Sequence, residues 1–368
     1  MDGATVSRIP WARPILCGRE ADYARDAVLS TYWSSGPYLD RLERMFAELH
    51  EEAGPVLACA NGTATLHLAL LAYGIGSGDE VILPGWAFAA AANMVLMTGA
   101  TPVFVDVDPE TWVMTPSAVR AALTPRTRAV VPVHTFGVVC DMPGIMDAVA
   151  GTGVRVIEDC AESLGSRVAG RICGVFGHMS SWSLQSTKTV ACGEGGFLLV
   201  RDEDALDQAR LVRSHGMRAE PKYLHVAVGH NFRLTNIQAA VACAQLEAFE
   251  RIAAMRRRVY AEYTERLRGF PVTLQVIPSD VDPIMWALGL LPLPDVRRSR
   301  AEIMAAMAAQ GVETRPGFAS FSVQPMFRAA PMPVSDRLGA DLFSVPFPAD
   351  LTEAEMDRIV SALRTALG

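Results

Sequence analysis

Lys188 stands in the stretch "SLQSTKTVACGEGG", residues 183–196, with hydroxyl-bearing residues before it and glycines after it. A phosphate-loop lysine has the reverse arrangement, with glycines leading into Gly-Lys-Ser/Thr. A surface lysine needs no such company. Earlier in the chain, the apolar run "VRVIEDCAESLGS" ends on Glu158, Asp159 and Glu162. An amine and a carboxylate at the ends of two such runs suit Schiff-base chemistry on pyridoxal phosphate. The amine forms the imine, and a carboxylate under the pyridine nitrogen keeps the ring protonated, which makes it an electron sink. The amine must be neutral to attack, and burial and neighbouring positive charge both promote that. Hydroxyls on Ser183, Ser186 and Thr187 are placed to hold the cofactor phosphate.

A second anion site is suggested by Asn61-Gly62-Thr63-Ala64, which follows a short apolar run and opens an apolar helical pattern. Backbone N–H groups and the helix dipole favour a phosphate there. The same residues are good helix caps, so both roles stand at this stage. "GIGSG", residues 74–78, has glycines spaced like a dinucleotide fingerprint, but it follows a helix and precedes a strand, so it reads as a turn.

The elements that must position these residues alternate regularly. "GPVLACA", "EVILP", "TPVFVDV", "RAVVPVH", "VRVIEDC", "SSWSL" and "GFLLV" read as strands. "ATLHLALLAYG", "AAAANMVLMTGA", "PSAVRAALT" and "MPGIMDAVAG" read as helices between them. Such near-continuous apolar strands predict an α/β fold with a buried, mostly parallel sheet covered on both faces. In these sheets ligands bind beyond the carboxyl ends of the strands, where the residues above fall. Residues 235–268 read as one long helix leaving a first unit of residues 1–250. Residues 251–368, with "RAEIMAAMAAQG" and "TEAEMDRIVSALRTAL", read as a smaller α+β domain.

Composition narrows the class. The chain has 368 residues, 50% hydrophobic and 20% charged, with a formal net charge of −7. That charge, without a basic cluster, argues against a nucleic-acid partner. The seven cysteines are scattered and form no C-x-x-C pair, so neither a metal site nor a disulfide framework is expected and a reducing cytoplasm fits best. "MDGATVSRIPWARP" lacks the apolar centre of a signal peptide, and no run reaches membrane-spanning length.

With these residues in view, six ordered motifs carry a resemblance. "NGTATLHLAL", "EVILPGWAFAAAANMVLMTGATPVFVDVDPETW", "VVPVHTFG", "VIEDCAESLG", "SLQSTKTVACGEGG" and "GHNFRLTNIQAAVACAQLE" are similar to the DegT/DnrJ/EryC1/StrS aminotransferases. The resemblance is strong over residues 30–250 and looser beyond. It implies a pyridoxal-phosphate enzyme of fold type I that moves an amino group from glutamate or glutamine to a keto-sugar or keto-cyclitol.

Residue by residue, the resemblance puts the Schiff base on Lys188 and the pyridine-nitrogen carboxylate on Asp159. It puts phosphate contacts on Gly62, Thr63, Ala64 and Ser183, and ring stacking on Phe88, with Trp86 as its rival. Glu162 stands where many members carry Gln or His toward the cofactor's phenolic oxygen. Asn231 matches an asparagine that reaches the phosphate of the neighbouring subunit, which implies a homodimer with shared active sites.

The chain departs from the perosamine-type pattern in "GVETRPGFASFSVQPMF", where Ser320 and Ser322 replace an expected proline and histidine. Lys188 argues against the dehydrating relatives that carry histidine in its place. Chemistry like that of 3-amino-5-hydroxybenzoate synthase, which keeps the lysine, and a non-catalytic cofactor-binding regulator are the alternative readings. Among the histidines, His134 is expected at the pocket rim, His67 in the core and His215 near the cofactor. Cys160 is expected on the sheet face opposite Asp159.

Overall fold

The structure, a computed structural model, describes residues 7–368 apart from 52, 219 and 328. The first six residues, part of the stretch read for a leader, lie outside the described residues. Seven strands form the main sheet in the spatial order Val56–Cys59, Gly196–Val200, Met179–Ser183, Arg155–Asp159, Thr127–Val130, Glu80–Pro84, Thr101–Val105. Four of its pairings are parallel, and Gly196–Val200 runs antiparallel to both its neighbours. The sheet is therefore mixed and mostly parallel, as the strand–helix alternation predicts.

Successive strand residues feed two different cores. Val56 and Ala58 join one buried cluster while Leu57 and Cys59 join the other, and Val130 and Val131 divide likewise. Two covered faces explain why these strands read as unbroken apolar runs rather than alternating ones.

One expected element differs. Residues 235–268 form two helices, Asn236–Glu247 and Phe249–Arg266, that meet at Ala248, where ψ is 7°. Neither glycine nor proline marks the break. The first helix packs on the helices Glu20–Leu29 and Pro37–Leu49, and the second leads into the C-terminal half. Packing, not propensity, sets the bend.

The C-terminal half carries an antiparallel sheet in the order Val272–Thr273, Leu288–Pro292, Phe343–Val345, Arg315–Pro316. The start of the described chain joins this part of the molecule. Ile9 bridges to Val312, the Phe347 N–H donates to the Trp11 carbonyl at 2.9 Å, and Trp11 Nε1 donates to Ser344 Oγ at 2.8 Å. No helix among the described residues is long and apolar enough to cross a membrane.

Candidate active site

At the carboxyl ends of the parallel strands lies a cavity of about 940 Å³ whose lining includes Gly62, Thr63, Asp159, Ser183 and Lys188. The strand ending at Ser183 pairs Ser181 with Asp159 on one side and Ser183 with Gly196 on the other. A Cβ on Gly196 would sit 2.6 Å from the Trp182 carbonyl oxygen and 2.7 Å from Asn61 C, so only glycine lets the helix start approach this strand. The loop between them turns at Lys188, whose N–H donates to the Gln185 carbonyl at 2.8 Å.

Lys188 is 13% exposed, and its Nζ lies 3.7 Å from Glu162 Oε1. Burial pushes the amine below its ordinary value, Glu162 and then Asp159 pull it back up, and Arg256 adds a push down. Asp159 is buried, and its Oδ1 accepts the Ala161 N–H at 3.1 Å. Burial raises its carboxyl above the usual range, against the pull of that N–H and of Lys188. Glu162 is raised by burial too, and its Oε2 accepts the Phe136 N–H at 2.9 Å. Phe136 takes φ of 62° to direct that N–H, a conformation that costs a non-glycine residue about 1–2 kcal/mol.

The helix Gly62–Ala72 opens on the same cavity. Asn61 caps it, with Oδ1 accepting the Ala64 N–H at 2.8 Å. A helix start leaves its first N–H groups without partners inside the helix, and here Gly62 and Thr63, both lining the cavity, keep theirs. Capping and anion binding are thus divided among neighbouring residues. Ala64 is the correction: its N–H belongs to the cap, it is buried, and it is absent from the lining.

A chain with this arrangement has close counterparts. The model of the DegT/DnrJ/EryC1/StrS aminotransferase family matches residues 15–364. The chain belongs to that family. It is 36% identical to the GDP-perosamine synthase of Caulobacter vibrioides over 98% of this chain and 99% of that protein. Among solved structures it is similar to the aminotransferase TlmJ from Streptoalloteichus hindustanus, with 27% identity, TM-score 0.92 and 98% of each chain covered. It is also similar to S. venezuelae DesV in complex with a ketimine intermediate, with 29% identity, TM-score 0.90 and 98% and 99% covered. The protein is a pyridoxal-phosphate-dependent aminotransferase with the α/β fold of its family.

The residues present fit that cofactor. A half-buried amine, a buried carboxylate with one hydrogen-bond partner among the described residues, and two helix-start N–H groups with no partner among the described residues surround one cavity. Phe88 is 61% exposed and lines the cavity, whereas Trp86 is 0% exposed and donates from Nε1 to the Phe318 carbonyl at 2.8 Å. Of the two aromatics, Phe88 is the one free to meet a ligand ring. Ser183 lines the cavity, but the Thr187 hydroxyl donates to Gln185 Oε1 at 2.7 Å and Ser186 Oγ accepts from Gln185 Nε2 at 3.0 Å. Gln185 thus takes up the Thr187 hydroxyl proton, while Ser186 keeps its own to donate. Asn231 is exposed and bridges Ser214 through its backbone, away from the cavity of its own chain.

The histidines are placed differently from expectation. His134 is fully buried rather than at the rim. Its Nδ1 accepts the Cys140 N–H at 3.3 Å, which leaves Nε2–H to donate to Glu158 at 3.2 Å. His67 is half-buried, with its ring 5.4 Å from His230, and is not a core residue. His215 is exposed and lies outside the cavity lining. Cys160 lies in the first buried cluster, beside Cys173, and does not line the cavity.

His134, Glu158 and Cys160 bring their ligating atoms within 4.8 Å of one another. His134 and Glu158 are already committed, because His134 Nδ1 accepts the Cys140 N–H and Glu158 also accepts the N–H groups of Gly174, Phe176 and Gly177 at 2.6–2.8 Å. The cluster is a brace behind Asp159. Burial alone would raise Glu158, but His134 and the backbone N–H groups outweigh it and hold the carboxyl below its usual range. Its stabilising contribution is therefore complete above the usual carboxylate value and lost as pH falls through the folded value. Glu158→Ala is expected to cost about 3–5 kcal/mol, the cost of stranding the partners of a buried charge. Thermal melts of both proteins between pH 3 and 7 measure it, and the gap should shrink toward the acid end.

Other lining residues were not singled out from the sequence: Trp11, Gln185, Trp286, Arg315 and Phe318. Four of them come from segments distant from the six motifs or outside them. Ser320 and Ser322, which replace the expected proline and histidine, both donate to Asp336 Oδ1, so they fasten the segment after Phe318 to the helix Pro333–Asp341.

Proposed function

We propose that the protein transfers an amino group from glutamate or glutamine to a ketone on a nucleotide-linked sugar. The carrying observation is the single cavity lined by Lys188, Asp159 and Glu162, with the amine 3.7 Å from Glu162 and with Gly62 and Thr63 in the same lining. The full-length similarity to a protein named GDP-perosamine synthase supports a nucleotide-linked substrate. A keto-cyclitol is the alternative acceptor within the same reading. Arg315, the second cationic side chain in the lining, is placed to meet an anionic group of donor or acceptor.

When bound, pyridoxal phosphate supplies the electron sink that lets a C–H bond next to nitrogen give up its proton. Lys188 would hold the cofactor covalently between turnovers, and its amine, once free, would take the proton from the substrate carbon and return it. Asp159, which lines the cavity, would hold the proton on the pyridine nitrogen of the bound cofactor. Gly62, Thr63 and Ser183 would hold the phosphate, and Phe88 would stack on the ring. Glu162 steadies the Lys188 ammonium from 3.7 Å.

The test supplies glutamate labelled with ¹⁵N on the amine, or glutamine so labelled, together with a GDP-linked keto-sugar or a free keto-cyclitol. Mass spectrometry should find ¹⁵N in the nucleotide sugar. Label only in the cyclitol would overturn the acceptor assignment, and label in neither would overturn the activity on both classes.

Asn231 supports a shared site. Thr235, not Asn231, caps the helix Asn236–Glu247 through a capping box with Gln238, so the capping role leaves Asn231 free. Asn231→Ala is expected to weaken cofactor binding while leaving the melting temperature of the cofactor-free protein nearly unchanged. Cofactor should tighten the wild-type dimer, because a ligand bound only by the assembled state stabilises that state. Dimer dissociation followed with and without pyridoxal phosphate measures this. A wild type that is monomeric at full cofactor occupancy would refute it.

A further inference from the structure

Lys188 rests on an aromatic face as well as beside a carboxylate. Its Nζ lies 3.8 Å from the centroid of the Trp286 ring. That ring is held from several directions. Its Nε1–H donates to the Thr187 carbonyl at 2.9 Å, next to Lys188 in the chain, and the Trp286 N–H donates to the Phe136 carbonyl at 2.8 Å. Trp11 packs edge-on against it with centroids 5.4 Å apart. The close approach of this segment depends on Gly137, with φ of 112°, because a Cβ there would lie 2.6 Å from the Ile284 carbonyl oxygen.

Behind Trp286 stands Arg256, only 6% exposed and without an acidic partner among the described residues. Its Nη1 donates to the carbonyls of Met285 and Trp286 at 3.3 and 3.2 Å. Burial lowers its guanidinium to about 10. A buried cation is costly unless its contacts are used, and both of these hydrogen bonds go to the segment that carries Trp286.

We propose that Trp286 is a positioning residue for Lys188: its indole face receives the amine whenever the amine is not joined to the cofactor, and Arg256 fixes that face. Transamination requires the amine to leave the cofactor and return to it. A lysine side chain free in a 940 Å³ cavity has many places to go. An ammonium over an indole face is held by the ring quadrupole, and its stem packs on the same surface. Trp286 thus keeps the protonated amine beside Glu162. The inference rests on the assignment of Lys188 as the Schiff-base residue, but its test uses neither cofactor nor ketone, so it fails separately from the substrate reading.

Lys188 and Lys222 are the only lysines in the chain. Reductive methylation of the full-length, cofactor-free protein with ¹³C-formaldehyde therefore labels two side chains and the N-terminus, with Lys222 as internal control. The Lys188 methyl signal of the wild type should be displaced upfield by the indole ring. Trp286→Phe should retain part of that displacement. Trp286→Leu should lose it, and the Lys188 titration should fall by about half to one pH unit with Lys222 unmoved. Arg256→Met, with the ring released, should shrink the displacement. A wild-type signal without displacement, or Trp286→Phe and Trp286→Leu with wild-type shift and titration, would overturn the proposal.

Discussion

Replacing Lys188 with alanine is expected to abolish amino transfer and to leave the fold intact. The side chain lines a cavity, so its loss removes the contact with the Trp286 ring but opens no gap in a packed core, and water can fill the space. It does remove the positive charge between Asp159 and Glu162, both of which burial already raises. Without the amine, those carboxyls rise further and more readily hold a proton at neutral pH, which limits the cost to stability. The chemistry has no such substitute. General acid–base catalysis alone contributes about 10²–10⁴-fold, and the covalent attachment of cofactor is lost as well. Turnover should fall by at least about 10⁴-fold, with the circular dichroism spectrum unchanged. Borohydride reduction of the wild-type holoenzyme followed by peptide mapping checks the assignment directly. With only Lys188 and Lys222 in the chain, a label on Lys222 would sink it.

Asp159→Asn is expected to bind cofactor and to lose most activity. The amide keeps the shape of the carboxylate and can still accept the Ala161 N–H, so the strand end should hold its conformation. What it loses is the negative charge toward the pyridine nitrogen. A hydrogen bond to a charged group contributes about 1.5–3 kcal/mol, so cofactor affinity should fall by roughly ten- to a hundredfold. The rate loss should be larger, because the ring without its proton no longer draws electrons away from the breaking bond. Titrating cofactor by absorbance and measuring turnover at saturation separates the two effects. Activity within a few-fold of wild type would rule out this role for Asp159.

Much of this site was legible because its parts are encoded locally. Apolar runs of strand length mark Arg155–Asp159 and Met179–Ser183, and parallel strands place their carboxyl ends along one edge. Asp159 and the loop bearing Lys188 meet there as a result. Asn-Gly-Thr after a strand likewise announces a helix start whose free N–H groups open on that edge. What the local pattern left ambiguous was the division of labour, and the structure gives Asn61 and Ala64 to the cap and Gly62 and Thr63 to the cavity.

Other features depend on which distant segments pack together. In the sequence, Trp286 is one aromatic in an apolar stretch, Arg256 is one of several arginines on a helix, and Trp11 lies near the chain start. Only the folded chain sets the first against Lys188, the second behind it and the third on its edge. His134 shows the same limit, since its burial follows from the carboxylate and backbone groups that surround it in space. Periodicity and capping reveal which side of an element faces inward and where it starts, because those depend on neighbours three or four residues away. The sequence alone therefore determined the sheet and the Lys188–Asp159 pair at its edge. The tertiary structure decided what holds Lys188 in place, because those contacts join residues that only the packed core brings within 4 Å.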